Sequence, residues 1–289
     1  MNKRVLLSIF TILVLFSAVW FYKTQKNIPY VDFDTSMQIA SFPELFNNDY
    51  FNRTYAAMRA NYAMNNPRRI QAAKDLRIPK IIHQIWLGSP FPEKYRTFQQ
   101  SWISNHPDWE YRLWTDTELQ DLPMINRDMY EAAVNYGERS DIARYEILYQ
   151  FGGLYIDTDE ECIKSFDQFH YCYDFYIGIQ PLDTNSVQLG IGVIGSTAQH
   201  PFLKLIVGSL HKSSTKQIIA RTGPLFITQL FVEYMHRIPG LNIALPPTYF
   251  YPKGYTQTDA EKSSWLKKES YAVHHWEGSW LKKTAFVPQ

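Results

Sequence analysis

Residues 139–161 read RSDIARYEILYQFGGLYIDTDEE, and a change of period inside this stretch decides the fold. Ser140 suits a helix cap, the following residues to Phe151 predict a helix, and Gly152-Gly153 stops it. The apolar run Leu154-Tyr155-Ile156 then predicts a short strand that delivers Asp157 and Asp159 at its end. A spacing of two puts both carboxylates on one side, with Thr158 turned away. Asp141 and Arg144, three apart, share a helix face, where a salt bridge and a ligand contact explain the pair equally well.

Working outward, IPKIIHQIWLG (78–88) places β-branched and aromatic residues between Pro79 and Gly88, the pattern of a buried strand with a loop at its carboxyl end. Helical character over Glu93–Ser104 and a second strand at Tyr111–Trp114 follow. Strand, helix, strand, helix predicts an α/β fold with a mainly parallel central sheet flanked by helices, and in such sheets ligands sit at the carboxyl ends of strands. His83 and Gln84 fall mid-strand and read as buried structure. Residues 27–77 are polar, with a helical patch at Tyr55–Met64, and read as a stem and peripheral helices before a main domain at 78–289. Thr222-Gly223-Pro224 reads as a rigid turn before a helix over Leu225–His236.

The 289 residues are 45% hydrophobic, enough for a full core, which excludes a disordered chain. A net charge of +1 provides no broad basic surface, so nucleic acid is not among the expected partners and any anion site must be local. Cys162 and Cys172 are the only cysteines, too few for a disulfide framework or a cysteine zinc site, though a single bridge between them stays open. The uncharged run VLLSIFTILVLFSAVWFY (5–22) is long enough to cross a bilayer and ends in an aromatic belt. Residues 1–26 are therefore expected to be an N-terminal transmembrane helix, with a cleaved signal peptide as the alternative. A single-pass, type II-like topology follows, with the main domain in a Golgi-like lumen in a eukaryote or on the inner membrane of a bacterium. One sequon, Asn52-Arg53-Thr54, is compatible with a lumenal domain.

Two carboxylates aimed at one point repel, and a shared proton, a neighbouring cation or a bound metal resolves this. The acidic run 157–161 favours a hard ion, Mn²⁺ or Mg²⁺, which fills its shell with oxygen ligands, water and substrate phosphate. A calcium EF-hand fails, because its sixth position would be Cys162 and its twelfth Gln168. A solvated strand-to-loop junction is the plain alternative for a bare D-x-D.

Three ordered motifs, IPKIIHQIWLG (78–88), HPDWEYRLWTD (106–116) and RSDIARYEILYQFGGLYIDTD (139–159), resemble glycosyltransferase family 32, the D-x-D sugar transferases. GIGVIGSTAQHPFL (190–203), RTGPLFIT (221–228) and HHWEGSW (274–280) continue the likeness, so it covers roughly Ile78 to Trp280. The resemblance implies a GT-A-like nucleotide-sugar fold and metal-dependent, retaining transfer of a hexose to a glycan or glycolipid acceptor. GDP-mannose and a UDP-hexose both remain open as donor. It implies that Asp157 and Asp159 hold the metal and the donor diphosphate, with His275 as a further metal contact and His274 second. Tyr155 would lie near the donor, Asp141 and Arg144 would contact its sugar and ribose, Trp86 would stack on the base, and Ser279 and Trp280 would close over the diphosphate. It also puts Thr222-Gly223-Pro224 near the acceptor or sugar. Two rival readings are a glycoside hydrolase, with Glu160, Glu161 or Asp183 as the distant second carboxylate, and a catalytically silent sugar-binding subunit. Two Asp one residue apart on one strand do not flank a glycosidic bond.

Overall fold

The computed structural model describes residues 27–212, 215, 217–257 and 261–278. The anchor expected at 5–22, together with Ser279 and Trp280, lies outside the described residues. Among the described residues no helix is long and apolar enough to cross a membrane.

Eight strands are present among the described residues: β1 (Ile81–Ile85), β2 (Glu110–Trp114), β3 (Gly153–Ile156), β4 (Glu160–Cys162), β5 (Phe175–Ile179), β6 (Leu189–Ser196), β7 (Asn242–Leu245) and β8 (Ala272–His274). The five longest helices there are α1 (Asp49–Asn65), α2 (Arg96–Asn105), α3 (Tyr136–Phe151), α4 (Pro201–Ser209) and α5 (Pro224–Tyr234). Six strands form one sheet in the order β2-β1-β3-β6-β5-β7, while β4 and β8 pair separately. β6 runs antiparallel to both β3 and β5, and the other pairings in the large sheet are parallel. The fold is thus α/β with a mixed sheet in which one strand opposes the rest. The carboxyl ends of β1 and β3 lie side by side, as adjacent parallel strands must.

The Gly-Gly pair sets the turn from α3 into β3. Gly152 has φ +64° and ψ −161°, a region in which essentially only glycine sits. Its amide closes the helix on the Leu148 carbonyl at 2.9 Å, and a Cβ there would meet the Ala198 nitrogen at 2.6 Å. Gly152→Ala should therefore destabilise the protein by about 1–3 kcal/mol in backbone strain, plus the clash, which a denaturant titration would read. His83 locks the same turn. The Trp114 indole donates to His83 Nδ1 at 3.1 Å, so Nε2 carries the proton and donates to the Gly152 carbonyl at 2.9 Å. Burial holds this histidine neutral, with its pKa down at about 4. His83 is a structural staple joining β1, β2 and the α3–β3 turn.

The α3 helix begins one turn earlier than its sequence suggests. Asn135, not Ser140, is the cap, its side chain accepting from the Glu138 amide at 2.9 Å. Asn is as good a cap as Ser, and Tyr136-Gly137 carries no apolar period to announce the extra turn. Residues 28–65 pack onto the edge of the sheet and share its core through Ile28, Phe33, Met37, Tyr55 and Tyr62. Asn61 on α1 donates to the Asn242 carbonyl at 3.0 Å and accepts from the Ala244 amide at 2.9 Å. Its side-chain amide thereby satisfies edge groups of β7 that would otherwise be open to pairing. Within the sequon, the Asn52 amide donates to the Phe46 carbonyl at 2.9 Å. Cys162 and Cys172 are both buried and unbridged.

Candidate metal and donor site

The site forms where the carboxyl ends of β1 and β3 meet the start of β6. One residue beyond β3, the Asp157 amide donates to the Gly192 carbonyl at 2.8 Å, so the carboxylate leaves the sheet from a pinned backbone. From β1, the Gln84 side chain donates to the Asp157 carbonyl at 3.2 Å.

Behind Asp157 stands a buried polar chain. Asp157 Oδ1 accepts from the Tyr155 hydroxyl at 2.8 Å and from Arg144 Nη1 at 3.1 Å. The same Arg144 nitrogen donates to the Ile191 carbonyl at 2.7 Å, and Arg144 Nη2 lies 3.0 Å from Asp141 Oδ1. Thr222 donates to Asp141 Oδ2 at 3.0 Å, while Tyr145 donates to the Thr222 carbonyl at 2.8 Å. The Arg144 guanidinium also lies over the Tyr155 ring, 4.5 Å from its centroid. Asp141 and Arg144 therefore form the salt bridge that their spacing allows, and that bridge reaches the D-x-D itself. Burial pushes the Asp141 carboxyl up to about 6, against the pull of Arg144 and the Thr222 hydrogen bond. Burial also works against the Arg144 charge, but the Asp157 carboxylate leads a set of neighbours that outweigh it, so its pKa is raised.

Asp159 is held by the small second sheet. β4 and β8 pair antiparallel with Glu160 opposite His274. His274 Nε2 lies 3.3 Å from Asp159 Oδ1, and Asp159 Oδ2 accepts from the Glu277 amide at 2.9 Å. The His275 amide donates to the Asp159 carbonyl at 3.0 Å. Burial alone would raise the Asp159 pKa, but the His274 charge and hydrogen bond and the Glu277 amide bring it down to about 2. Reciprocally, burial would lower His274, and Asp159 outweighs it, lifting the imidazole to about 9. The two groups stand as an ion pair.

Asp157, Asp159 and His274 each offer a ligand atom, and these atoms lie within 4.8 Å of one another. Two carboxylates and one imidazole form a donor set that Mn²⁺ accepts readily and Mg²⁺ accepts through its oxygens. The surroundings fit a cation. Among the described residues both Glu160 oxygens and His274 Nδ1 are buried without a hydrogen-bond partner, and native interiors rarely leave such atoms unsatisfied.

The structure brings His274, not His275, to the aspartates. His275 Nε2 lies 3.0 Å from Glu161 Oε2, and its ring stacks on Phe98 with centroids 4.4 Å apart. The reason is the strand: HHWEGSW reads as a loop, but β8 continues through His274, and successive side chains on a strand face opposite ways. The signal was present in Ala272-Val273-His274, whose apolar start suits a short strand, but only its pairing with distant β4 reveals it.

The remaining candidates lie around this centre. Trp86 follows β1 on the edge beside Asp157 and is half-buried, its indole donating to Ser89 at 3.0 Å and its ring against Phe91 and Tyr95. Lys94 pairs with Glu277 at 2.6 Å, linking the segment before α2 to the chain that holds Asp159. Glu161 is engaged by His275 and Lys262, and Asp183 accepts from the Thr256 amide and hydroxyl. Sequence reasoning missed Glu160 as a member of this site. It is fully buried, and burial pushes its carboxyl well above the usual range.

Residues 92–176 match the family described as "Glycosyltransferase sugar-binding region containing DXD motif". Inositol phosphoceramide mannosyltransferase 2 of Schizosaccharomyces pombe is 32% identical over 220 residues, covering 73% of this chain and 60% of that protein. Mannosyl phosphorylinositol ceramide synthase SUR1 of Saccharomyces cerevisiae is 33% identical over 203 residues, covering 65% of this chain and 52% of that protein. The alignments thus span between about half and three fifths of these relatives' length. Among solved structures, PaToxG glycosyltransferase superposes with a TM-score of 0.46 at 20% identity, over 64% of this chain and 80% of that one.

Proposed function

We propose, from the premise that this chain belongs to the DXD-containing glycosyltransferase family, that it transfers a hexose from a nucleotide-sugar donor to a glycolipid acceptor with the aid of a divalent cation. The observation that carries this reading is the convergence of Asp157, Asp159 and His274 at the carboxyl edge of the sheet. These three residues would hold the ion. When bound, it supplies Lewis-acid neutralisation of the charge that develops on the departing nucleotide diphosphate.

The chain's own residues do the rest. Arg144 and Tyr155 fix the Asp157 carboxylate through Oδ1, and the Glu277 amide fixes Asp159 through Oδ2. Neither carboxylate has to reorganise when the donor arrives, which is the source of electrostatic preorganisation. Asp141 and Arg144 are proposed to contact the donor's sugar and ribose, and Thr222, which donates to Asp141 on the far side of that brace, to lie near the acceptor or sugar. Trp86, half-buried just past the carboxyl end of β1, is proposed to stack on the base. Ser279 and Trp280 are proposed to close over the diphosphate, and residues 5–22 to anchor the enzyme in its membrane. Retention of configuration is what the family resemblance implies.

A hydrolase is the weaker reading. Glu160 is fully buried, and Glu161 and Asp183 are occupied by their own partners, so none stands across a bond from the D-x-D. Mannose is the first sugar to test, because one fungal relative is named a mannosyltransferase and another a mannosyl phosphorylinositol ceramide synthase. Thermal unfolding should be raised by GDP-mannose or a UDP-hexose only with Mn²⁺ present. An added ligand at about 100 times its Kd stabilises by about 2.7 kcal/mol, a readily measured shift. If no nucleotide sugar in the panel shifts unfolding with Mn²⁺ present, the reading fails.

A further inference from the structure

Among the described residues, three buried polar atoms beside the D-x-D have no partner: both carboxyl oxygens of Glu160 and Nδ1 of His274. They belong to residues directly opposite each other in the β4–β8 pair, and directly opposed residues project from the same face. Glu160 is 0% exposed, and its backbone is fixed because the Trp102 indole donates to its carbonyl at 2.7 Å. On its other side the carboxyl approaches Asp157. A Cβ built on Gly192 would lie 3.0 Å from Asp157 Oδ2 and 3.1 Å from Glu160 Oε1, so the two carboxyls meet over that glycine. The His274 ring is confined edge-on by Trp276, with centroids at 4.2 Å, and by Tyr251 at 5.9 Å. Its Nε2 faces Asp159.

An unpartnered buried carboxyl destabilises a fold, so its retention beside two more carboxylates needs a cause. The cause lies in what a histidine needs when it binds a metal through one nitrogen: an acceptor for the proton on the other, which fixes tautomer and ring orientation. We propose that Glu160 is a positioning residue of the cation site, accepting the Nδ1 proton of His274 so that Nε2 is presented to a divalent cation shared with Asp157 and Asp159. This rests on the cation-site reading above and deepens it. Binding of the ion would satisfy all three orphaned atoms: Nε2 turns from Asp159 to the ion, Nδ1 donates to one Glu160 oxygen, and the other oxygen faces the ion's remaining shell near Asp157. The Nε2 proton that faces Asp159 in the ion pair leaves to solvent as Nε2 takes up the ion, and Nδ1 keeps its own.

The test is Mn²⁺ binding to the full-length protein in detergent, followed by the electron paramagnetic resonance signal of free Mn²⁺ with no donor present. Metal-free unfolding temperature is measured in parallel. E160L should weaken Mn²⁺ binding on the order of 10- to 100-fold, the usual effect of removing such an outer partner, and any loss of threefold or more counts for the proposal. The metal-free unfolding temperature should stay level or rise, because the variant removes an unsatisfied group. A structural prop would show the opposite sign. In an H274A background, E160L should add less than threefold, since the two act as one unit. A loss under threefold in the wild-type background overturns the proposal. So does a loss accompanied by a lower metal-free unfolding temperature, or an equal loss in the H274A background, which would make Glu160 a direct ligand. Should E160L not fold, E160M, which likewise has no oxygen acceptor, decides: weakening of threefold or more supports the role, and less overturns it. Wild-type protein that binds no Mn²⁺ would defeat the cation site as a whole. Binding that D157N removes and E160L leaves intact would defeat only the role of Glu160.

Discussion

Replacing Asp157 and Asp159 together with asparagine is expected to lower sugar-nucleotide turnover by at least about 10³-fold and to leave the protein folded. Each substitution keeps the size and one acceptor oxygen of the side chain, so the Tyr155 hydroxyl and the Glu277 amide retain a partner. Arg144 would still have Asp141 and the Ile191 carbonyl. What disappears is the negative charge that a hard cation requires, and a neutral amide replaces it poorly. Turnover is read as release of nucleotide diphosphate, with unfolding temperature as the check on folding. A double variant that keeps more than a tenth of the turnover, or keeps its metal dependence, would contradict this assignment.

Arg144→Met is expected to be the most destabilising of the site substitutions. The guanidinium has a side-chain exposure of 6% and joins two acidic partners, so methionine fills similar volume while leaving Asp141 and Asp157 facing each other without a counter-charge. Breaking a buried pair from one side costs about 3–5 kcal/mol. For a chain of this size that lowers the unfolding temperature by roughly 10 °C. The pH dependence has a definite sign. Asp141 already titrates at about 6, above its ordinary 3.8, so the fold holds its proton more tightly than the unfolded chain does. Its contribution is present below about 4 and is lost as pH rises through about 6. Without Arg144 the carboxyl is pushed higher still, and the variant's deficit relative to the parent should be larger at pH 8 than at pH 5. A deficit under about 1 kcal/mol, or one that shrinks with pH, would contradict the buried-brace account.

Short-range patterns in the sequence were reliable guides to what lies within one element. The β3 strand, its glycine stop and Asp157 one residue beyond it follow from periods and turn chemistry that need no partner, whereas Asp159 is not carried by that strand, which ends at Ile156, but is placed by the small second sheet. The misplaced start of α3 is a local ambiguity between two good caps, Asn135 and Ser140. The β4–β8 pair was not legible, because three-residue strands more than a hundred positions apart leave no periodic trace. That pairing decides which of two adjacent histidines faces the aspartates, and it alone shows that Glu160, one of five residues in an acidic run, is the buried one opposite His274. The opposed direction of β6 is likewise a long-range property, invisible in an apolar strand that is buried along its whole length. The same limit applies to residues 27–77, whose polar composition does not show that Asn61 completes the edge of β7.

The central claim is that Asp157, Asp159 and His274 hold a divalent cation on which sugar transfer depends. The most direct measurement is nucleotide diphosphate release by the full-length protein from GDP-mannose and UDP-hexoses, first after chelation and then on titration with Mn²⁺ or Mg²⁺. Release should be abolished by the chelator and restored in a saturable way by the added ion, with at least one donor of the panel. Turnover that survives complete chelation would contradict it.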